Sequence, residues 1–270
     1  MSRIAETFGR LRREGRSGLV TYTTAGDPDL PRSAEILRAL DRAGADVLEV
    51  GVPFSDPLAD GPVIQRATER ALAAGGSLRA ALSLVEAVRG EVSAPIVLFS
   101  YANPLLRMGL EAFARRAAAA GVDGVLALDL PIEEAGEFRA VLASAGLDTI
   151  FLLSPTTTDA RIRQAAALGR GFLYGISRLG VTGARDRVAS GAEALVRRIR
   201  AHTDLPVALG FGLSRPEHVA EVGGYADAAV VGSALVSLIA EASGSPRLIE
   251  RVEAYVRSLK NACVATDIGI

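Results

Sequence analysis

Apolar runs of four to six residues recur along the chain. Between them lie longer stretches in which apolar residues return every three or four positions. The short runs read as buried strands and the longer stretches as amphipathic helices. The pattern predicts strands over residues 19–24, 47–51, 96–101, 124–129, 149–153, 172–176, 207–210 and 228–232. It predicts helices over 32–43, 77–89, 110–120, 132–145, 159–167, 192–201, 216–222 and about 245–261. Eight strands alternating with helices in a chain of 270 residues is the (β/α)8 pattern of an α/β TIM barrel. A doubly wound open sheet shares the periodicity, but eight successive parallel units favour closure. Residues 3–13 read as an extra N-terminal helix covering the bottom of the barrel, and 122–125 and 225–228 as short helix-to-strand turns. No linker or composition shift divides the chain, so residues 1–270 read as a single TIM-barrel domain.

One position breaks the apolar pattern. Glu49 lies inside the strand ADVLEVG, and eleven residues later Asp60 lies on a loop rich in Pro, Asp, Ser and Gly. Burying a carboxylate is expensive unless it is paired or used. A second carboxylate on the loop leaving that strand stands where a barrel places catalytic groups. The pair suggests acid–base chemistry, one group desolvated with a raised pKa and one closer to water. Spacing alone reads equally well as a satisfied core glutamate beside a solvated aspartate.

Composition narrows the chemistry. A hydrophobic content of 49% is ample for a large core, and a net charge of -1 argues against nucleic acid or an anionic membrane as partner. The chain has no Trp and few other aromatics on which bases could stack. No apolar run approaches ~18 residues, and residues 2–17 are charged throughout, so neither a membrane span nor a signal peptide is expected. Cys263 is the lone cysteine, which excludes an intrachain disulfide. These features predict a cytoplasmic protein. Lys260, the only lysine, sits in the last helical stretch, poorly placed for a Schiff base. His202 and His218, the only histidines, lie in polar helical stretches, so neither a metal site nor a Ser-His-Asp triad is expected. Carboxylates, tyrosines and backbone groups remain.

Three glycine signals follow the last three predicted strands: SRLGVTG at 177–183, GFGLS at 210–214 and GSA at 232–234. Glycines let backbone N–H groups approach an oxyanion, and a helix N-terminus adds a favourable dipole. Each signal is weak alone, but at one end of successive strands they point to a phosphate site. Tyr101 and Tyr174 fall at predicted strand ends, as core aromatics or pocket walls. Asp129 reads as structural. Arg178 is a solvated arginine by default or a partner for Asp56 or Asp60 under a closed lid. Pro53, Asp56 and Asn103 are expected on loops at the same end.

GDP at 26–28, LEVGVPFSDPLADGP at 48–62, YANP at 101–104, SRLGVTG, GFG and VGSA at 231–234 together resemble the tryptophan synthase alpha subunit, in order and over nearly the whole chain. The long segment around Glu49 and Asp60 is highly specific. The resemblance implies a barrel that cleaves indole-3-glycerol phosphate to indole and D-glyceraldehyde 3-phosphate. It implies Glu49 as general acid/base and Asp60 as second catalytic carboxylate. Gly183, Gly212, Gly232 and Ser233 match phosphate-binding positions, and Tyr174 a tyrosine near the active site. Phe211, Leu126, Tyr101 and Tyr22 fall where indole-pocket residues are expected; the family often has Phe at position 22. No cofactor is implied in this chain, since pyridoxal phosphate belongs to the beta subunit that completes an alpha2beta2 heterotetramer. The loops at 53–60 and 178–189 match two that close over substrate, while the tail at 262–270 matches no motif. A stand-alone lyase is the nearest alternative, and a non-catalytic activator of a beta subunit the next. An indole-glycerol-phosphate synthase would want catalytic lysines that the chain lacks.

Overall fold

The strands are apolar on both faces because both faces are covered. The computed structural model describes residues 2–176, 191–210 and 212–263. In chain order the elements are α1 (Arg3–Arg13), β1 (Gly18–Thr24), α2 (Leu30–Arg42), β2 (Val47–Gly51), α3 (Pro62–Ala73), α4 (Leu78–Val88) and β3 (Ile96–Ser100). Next come α5 (Ala102–Met108), α6 (Leu110–Ala120), β4 (Gly124–Ala127), a 3-10 turn (Ile132–Glu134), α7 (Ala135–Ser144), β5 (Asp148–Leu153) and α8 (Asp159–Leu168). The last are β6 (Leu173–Ile176), α9 (Ala192–Arg200), β7 (Val207–Gly210), α10 (Pro216–Gly223), β8 (Ala228–Val231), α11 (Ser233–Ala242) and α12 (Leu248–Lys260). Among the described residues, eight parallel strands close in sequence order, β8 pairing β1 through Gly18–Ala228 and Val20–Val230.

Side-chain alternation sorts most of the core into two clusters. Val20, Val47, Val97, Leu126, Ile150, Phe172, Ala208 and Ala228 share the barrel interior. Their neighbours Leu19, Leu48, Ile96, Val125, Phe151, Leu173, Val207 and Ala229 pack outward under the helices. The predicted N-terminal helix is present as α1. Ser2 caps it, and Ile4, Phe8 and Leu11 enter the interior cluster, Phe8 lying 5.5 Å from Phe172. At this end, carboxylates secure the strand starts. Asp46 accepts from Leu19 N, Asp123 from Ile96 N and Asp227 from Val207 N, each at 2.8 Å. Lys260 pairs with Asp46 here, at the end opposite the cleft lined by Glu49 and Asp60.

The structure corrects several expected boundaries. Helix α3 follows directly on the loop after β2, and the apolar pattern did not predict it; Gly61 and Pro62 open it without a side-chain cap. Asn103 lies in the short helix α5, not on a loop. The helix expected over 132–145 opens as the 3-10 turn before α7, and the last helix is shorter than expected. β4 stops at Ala127, short of Asp129, whose carboxylate accepts from Ala102 N at 2.7 Å at the start of α5. Among the described residues no single helix is long and apolar enough to cross a membrane.

Candidate active site

The open end of the barrel holds a cleft with about 490 Å³ of empty space, its mouth included. Its wall is built from strand positions that share the inward face. Tyr22 on β1 and Glu49 on β2 are register partners, and Phe99, Tyr174 and Val230 join them from β3, β6 and β8. Asp60 and Ile64 enter from the loop after β2 and the first turn of α3. Among the described residues, Gly212, Gly232 and Ser233 also line the cleft.

Glu49 is 1% exposed, and neither of its carboxyl oxygens meets a hydrogen-bond partner among the described residues. Loss of hydration therefore pushes its carboxyl up to about 8. Asp60 is partly buried, and desolvation raises it to about 6. Tyr101 opposes that rise by donating from Oη to Asp60 Oδ2 at 3.0 Å. The same phenol accepts from Ala59 N at 3.0 Å, and its ring packs 5.2 Å from Phe54. Tyr101 thus fastens the loop that carries Asp60. Gln65 adds a bond from Nε2 to the Asp60 carbonyl at 2.9 Å. Burial also raises the phenols of Tyr22 and Tyr174, and the nearby carboxylates add to it, so both remain protonated donors.

Two glycines make room for those phenols. A Cβ on Gly51 would fall 2.1 Å from Tyr22 Oη, and one on Gly210 would fall 2.5 Å from Tyr174 Oη. Gly210, read from sequence as part of a phosphate signal, is thus required by Tyr174. Gly212 keeps that signal's backbone freedom, with φ of +81°. Gly232 precedes α11, whose first turn carries no acidic residue and no side-chain cap. Its backbone N–H groups are available for an anion beside the cleft.

Of the residues singled out in the sequence, Tyr22, Glu49, Asp60, Tyr174, Gly212, Gly232 and Ser233 converge on the cleft. Tyr101 does not line it but holds Asp60 from outside. Leu126 also stands off the wall: it is fully buried in the interior cluster, and its register partner Phe99 reaches the cleft instead. Gly183, Phe211, Arg178 and the loop at 178–189 lie outside the described residues. Ile64, Phe99 and Val230 were not singled out. Phe99 and Val230 could have been found from strand parity, since they share the inward face with Val97 and Ala228.

Residues 8–264 match the family described as tryptophan synthase alpha chain. The tryptophan synthase alpha chain of Geotalea uraniireducens is 50% identical over 260 residues, 96% of this chain and 97% of that one. A solved structure of Mycobacterium tuberculosis tryptophan synthase superposes with a TM-score of 0.90 at 40% identity, covering 97% of this chain and 98% of that one. The alpha subunit from Legionella pneumophila gives 0.89 at 36% identity, covering the same shares. With this barrel, this cleft and these relatives, the chain belongs to the tryptophan synthase alpha chain family.

Proposed function

We propose that Glu49 and Asp60 are the carboxyl groups with which this tryptophan synthase alpha chain, a lyase, cleaves indole-3-glycerol phosphate to indole and D-glyceraldehyde 3-phosphate. The observation that carries the assignment is the Glu49 carboxyl, buried without a hydrogen-bond partner among the described residues and facing a cleft that Asp60 also enters. Near neutral pH the raised Glu49 carboxyl can hold a proton. It gives that proton to C3 of the indole ring, making a cationic indoleninium. Asp60, ionised, stabilises the cation near the ring nitrogen. The Glu49 carboxylate then takes the proton of the C3′ hydroxyl. The C3–C3′ bond breaks, its electron pair returns to the ring, and C3′ becomes the aldehyde carbon. No imine with a lysine is formed at any step.

Gly212, Gly232 and Ser233 are proposed to hold the substrate phosphate, with Gly183 completing the set. Tyr22, Tyr174 and Phe211 are proposed as substrate contacts, with Tyr101 acting through Asp60. The support is the uncapped start of α11 at the cleft and the apolar wall of Phe99, Ile64 and Val230. The proposed unit is one domain over residues 1–270. The proposed partner is a beta subunit in an alpha2beta2 assembly; it carries the pyridoxal phosphate and consumes the indole. The likeness to a structure of tryptophan synthase supports that partner. The proposed compartment is the cytoplasm, where a charged phosphate ester is retained.

Indole release from indole-3-glycerol phosphate, with and without a beta subunit, tests the assignment. Slow release by the chain alone, rising with the partner, is expected. Glu49→Gln and Asp60→Asn should each lose about 10² to 10⁴-fold in turnover with substrate binding retained. A near-normal rate in Glu49→Gln would remove that residue from the mechanism. Fast release indifferent to the partner would mark a stand-alone lyase, and none at all a non-catalytic activator.

A further inference from the structure

The loop that carries Gly212 is gripped two residues further on. Ser214 N donates to Nδ1 of His218 at 3.3 Å, and the Ser214 carbonyl accepts from Oη of Tyr255 at 2.9 Å. His218 lies in the first turn of α10, and Tyr255 lies on α12. Two helices thus fix both backbone polar groups of one residue at the edge of the cleft.

His218 is 3% exposed, in a position where a hydrocarbon side chain would fill the space without desolvating a polar ring. Its ring chemistry is restricted. Arg215 Nε and Nη2 approach Nε2 at 3.4 and 3.2 Å, while Ser214 N approaches Nδ1. A neutral imidazole has one lone pair to offer, and both neighbours are donors. The Ser214 N–H is a single donor fixed in the backbone, whereas the exposed Arg215 guanidinium has five N–H donors to distribute. The lone pair therefore belongs to Nδ1, with the proton on Nε2.

We propose that His218 is a positioning residue for phosphate recognition. Its Nδ1 holds the Leu213–Ser214 peptide, and this sets the direction in which the Gly212 backbone faces the substrate phosphate. The inference rests on the phosphate site proposed above. Neither His218 nor Tyr255 touches the substrate.

The test compares His218→Leu, which removes the acceptor, with His218→Asn, which returns an amide oxygen near the place of Nδ1. Glycerol 3-phosphate binding is measured by calorimetry, and KM and kcat for indole-3-glycerol phosphate by indole release. His218→Leu should weaken glycerol 3-phosphate binding and raise KM about tenfold, with kcat within about twofold. His218→Asn should recover both to within about threefold. Should His218→Leu fail to fold, Tyr255→Phe removes the other bond and should raise KM about threefold with kcat unchanged. Unchanged binding in these variants, or equal loss in the Leu and Asn variants, would overturn the positioning role while the phosphate site stood. No glycerol 3-phosphate binding by the parent chain would overturn the phosphate site and the inference with it.

Discussion

At the scale of single residues, Glu49 is costly to keep in the fold. Its carboxyl sits at about 8 against an ordinary 4.5, so the folded chain retains a proton that the unfolded chain has released. The stability tied to that proton is full below 4.5 and drains away as pH rises through about 8. Glu49→Gln is neutral throughout and escapes this loss. Its melting temperature should match the parent near about pH 5 and exceed it by roughly 5 °C or more near about pH 8. Thermal melts at the two pH values check this, and an equal difference at both would show that the Glu49 proton does not report on folding. The two carboxyls also set a pH window. The proposed chemistry needs Asp60 ionised and Glu49 protonated, so kcat/KM should be bell-shaped, with limbs near 6 and 8. Tyr101 stabilises ionised Asp60, so Tyr101→Phe should move the acidic limb to higher pH and leave the alkaline limb in place. A rate profile that shifts on both limbs, or on neither, would separate Tyr101 from the titration of Asp60.

At the scale of elements, a repeated device stands at the closed end. Asp46, Asp123 and Asp227 lie directly before β2, β4 and β8, and each carboxylate accepts from a buried backbone N–H at the start of a neighbouring strand. Asp123 also meets Arg3 and Arg89. Removing a carboxylate here strands a buried backbone donor. Asp123→Ala should therefore destabilise the chain by about 2 to 3 kcal/mol, read from urea unfolding, with little change in the activity at the other end. A loss under about 0.5 kcal/mol would mean that the Ile96 N–H finds another acceptor. The strands were legible because parallel strands buried on both faces leave continuous apolar runs of the right length. Helix α3 was not, since ADGPVIQRATERALA follows a turn-rich loop and shows a weak apolar stripe, though Pro62 at its first turn is a recognised start signal. Helix α5 was hidden by its seven residues and its internal Pro104. Glu49 was legible because a carboxylate inside an apolar strand calls for an explanation within a few residues of sequence. The bond between Tyr101 and Asp60 was not, because 41 residues separate partners that only barrel closure brings together. Leu126 stands off the described cleft wall for a related reason: parity gives the face of a strand, but the wall depends on which neighbour is larger and nearer the mouth.

At the scale of the molecule, the two ends of the barrel divide the work. Helix α1 seals one end with Ile4, Phe8 and Leu11, while the other end keeps the cleft and its loops. That open end also leaves large apolar side chains in solvent, among them Leu58 at 89% and Leu106 at 54% exposure. Leu58 belongs to the loop that ends in Asp60, and Leu106 to α5, whose start is held by Asp129 and preceded by Tyr101. Leu106 also lines a groove walled by Leu105, Leu110, Leu130 and Phe138, with Glu134 and Glu137 among its lining. Exposed leucines beside a groove are what a partner surface would cover. The proposed beta subunit would dock here, where contact with α5 and the neighbouring loop reaches Asp60 through Tyr101. Leu106→Asp places a charge in that contact without touching the cleft. The variant should release indole at the parent's rate to within about twofold when alone, and lose most of the acceleration produced by an added beta subunit. Indole release with increasing beta subunit measures both quantities in one titration. Full acceleration at the parent's beta-subunit concentration would place the docking surface elsewhere on the barrel, whereas a fall in the chain's own rate would mean that α5 supports the site directly through Tyr101.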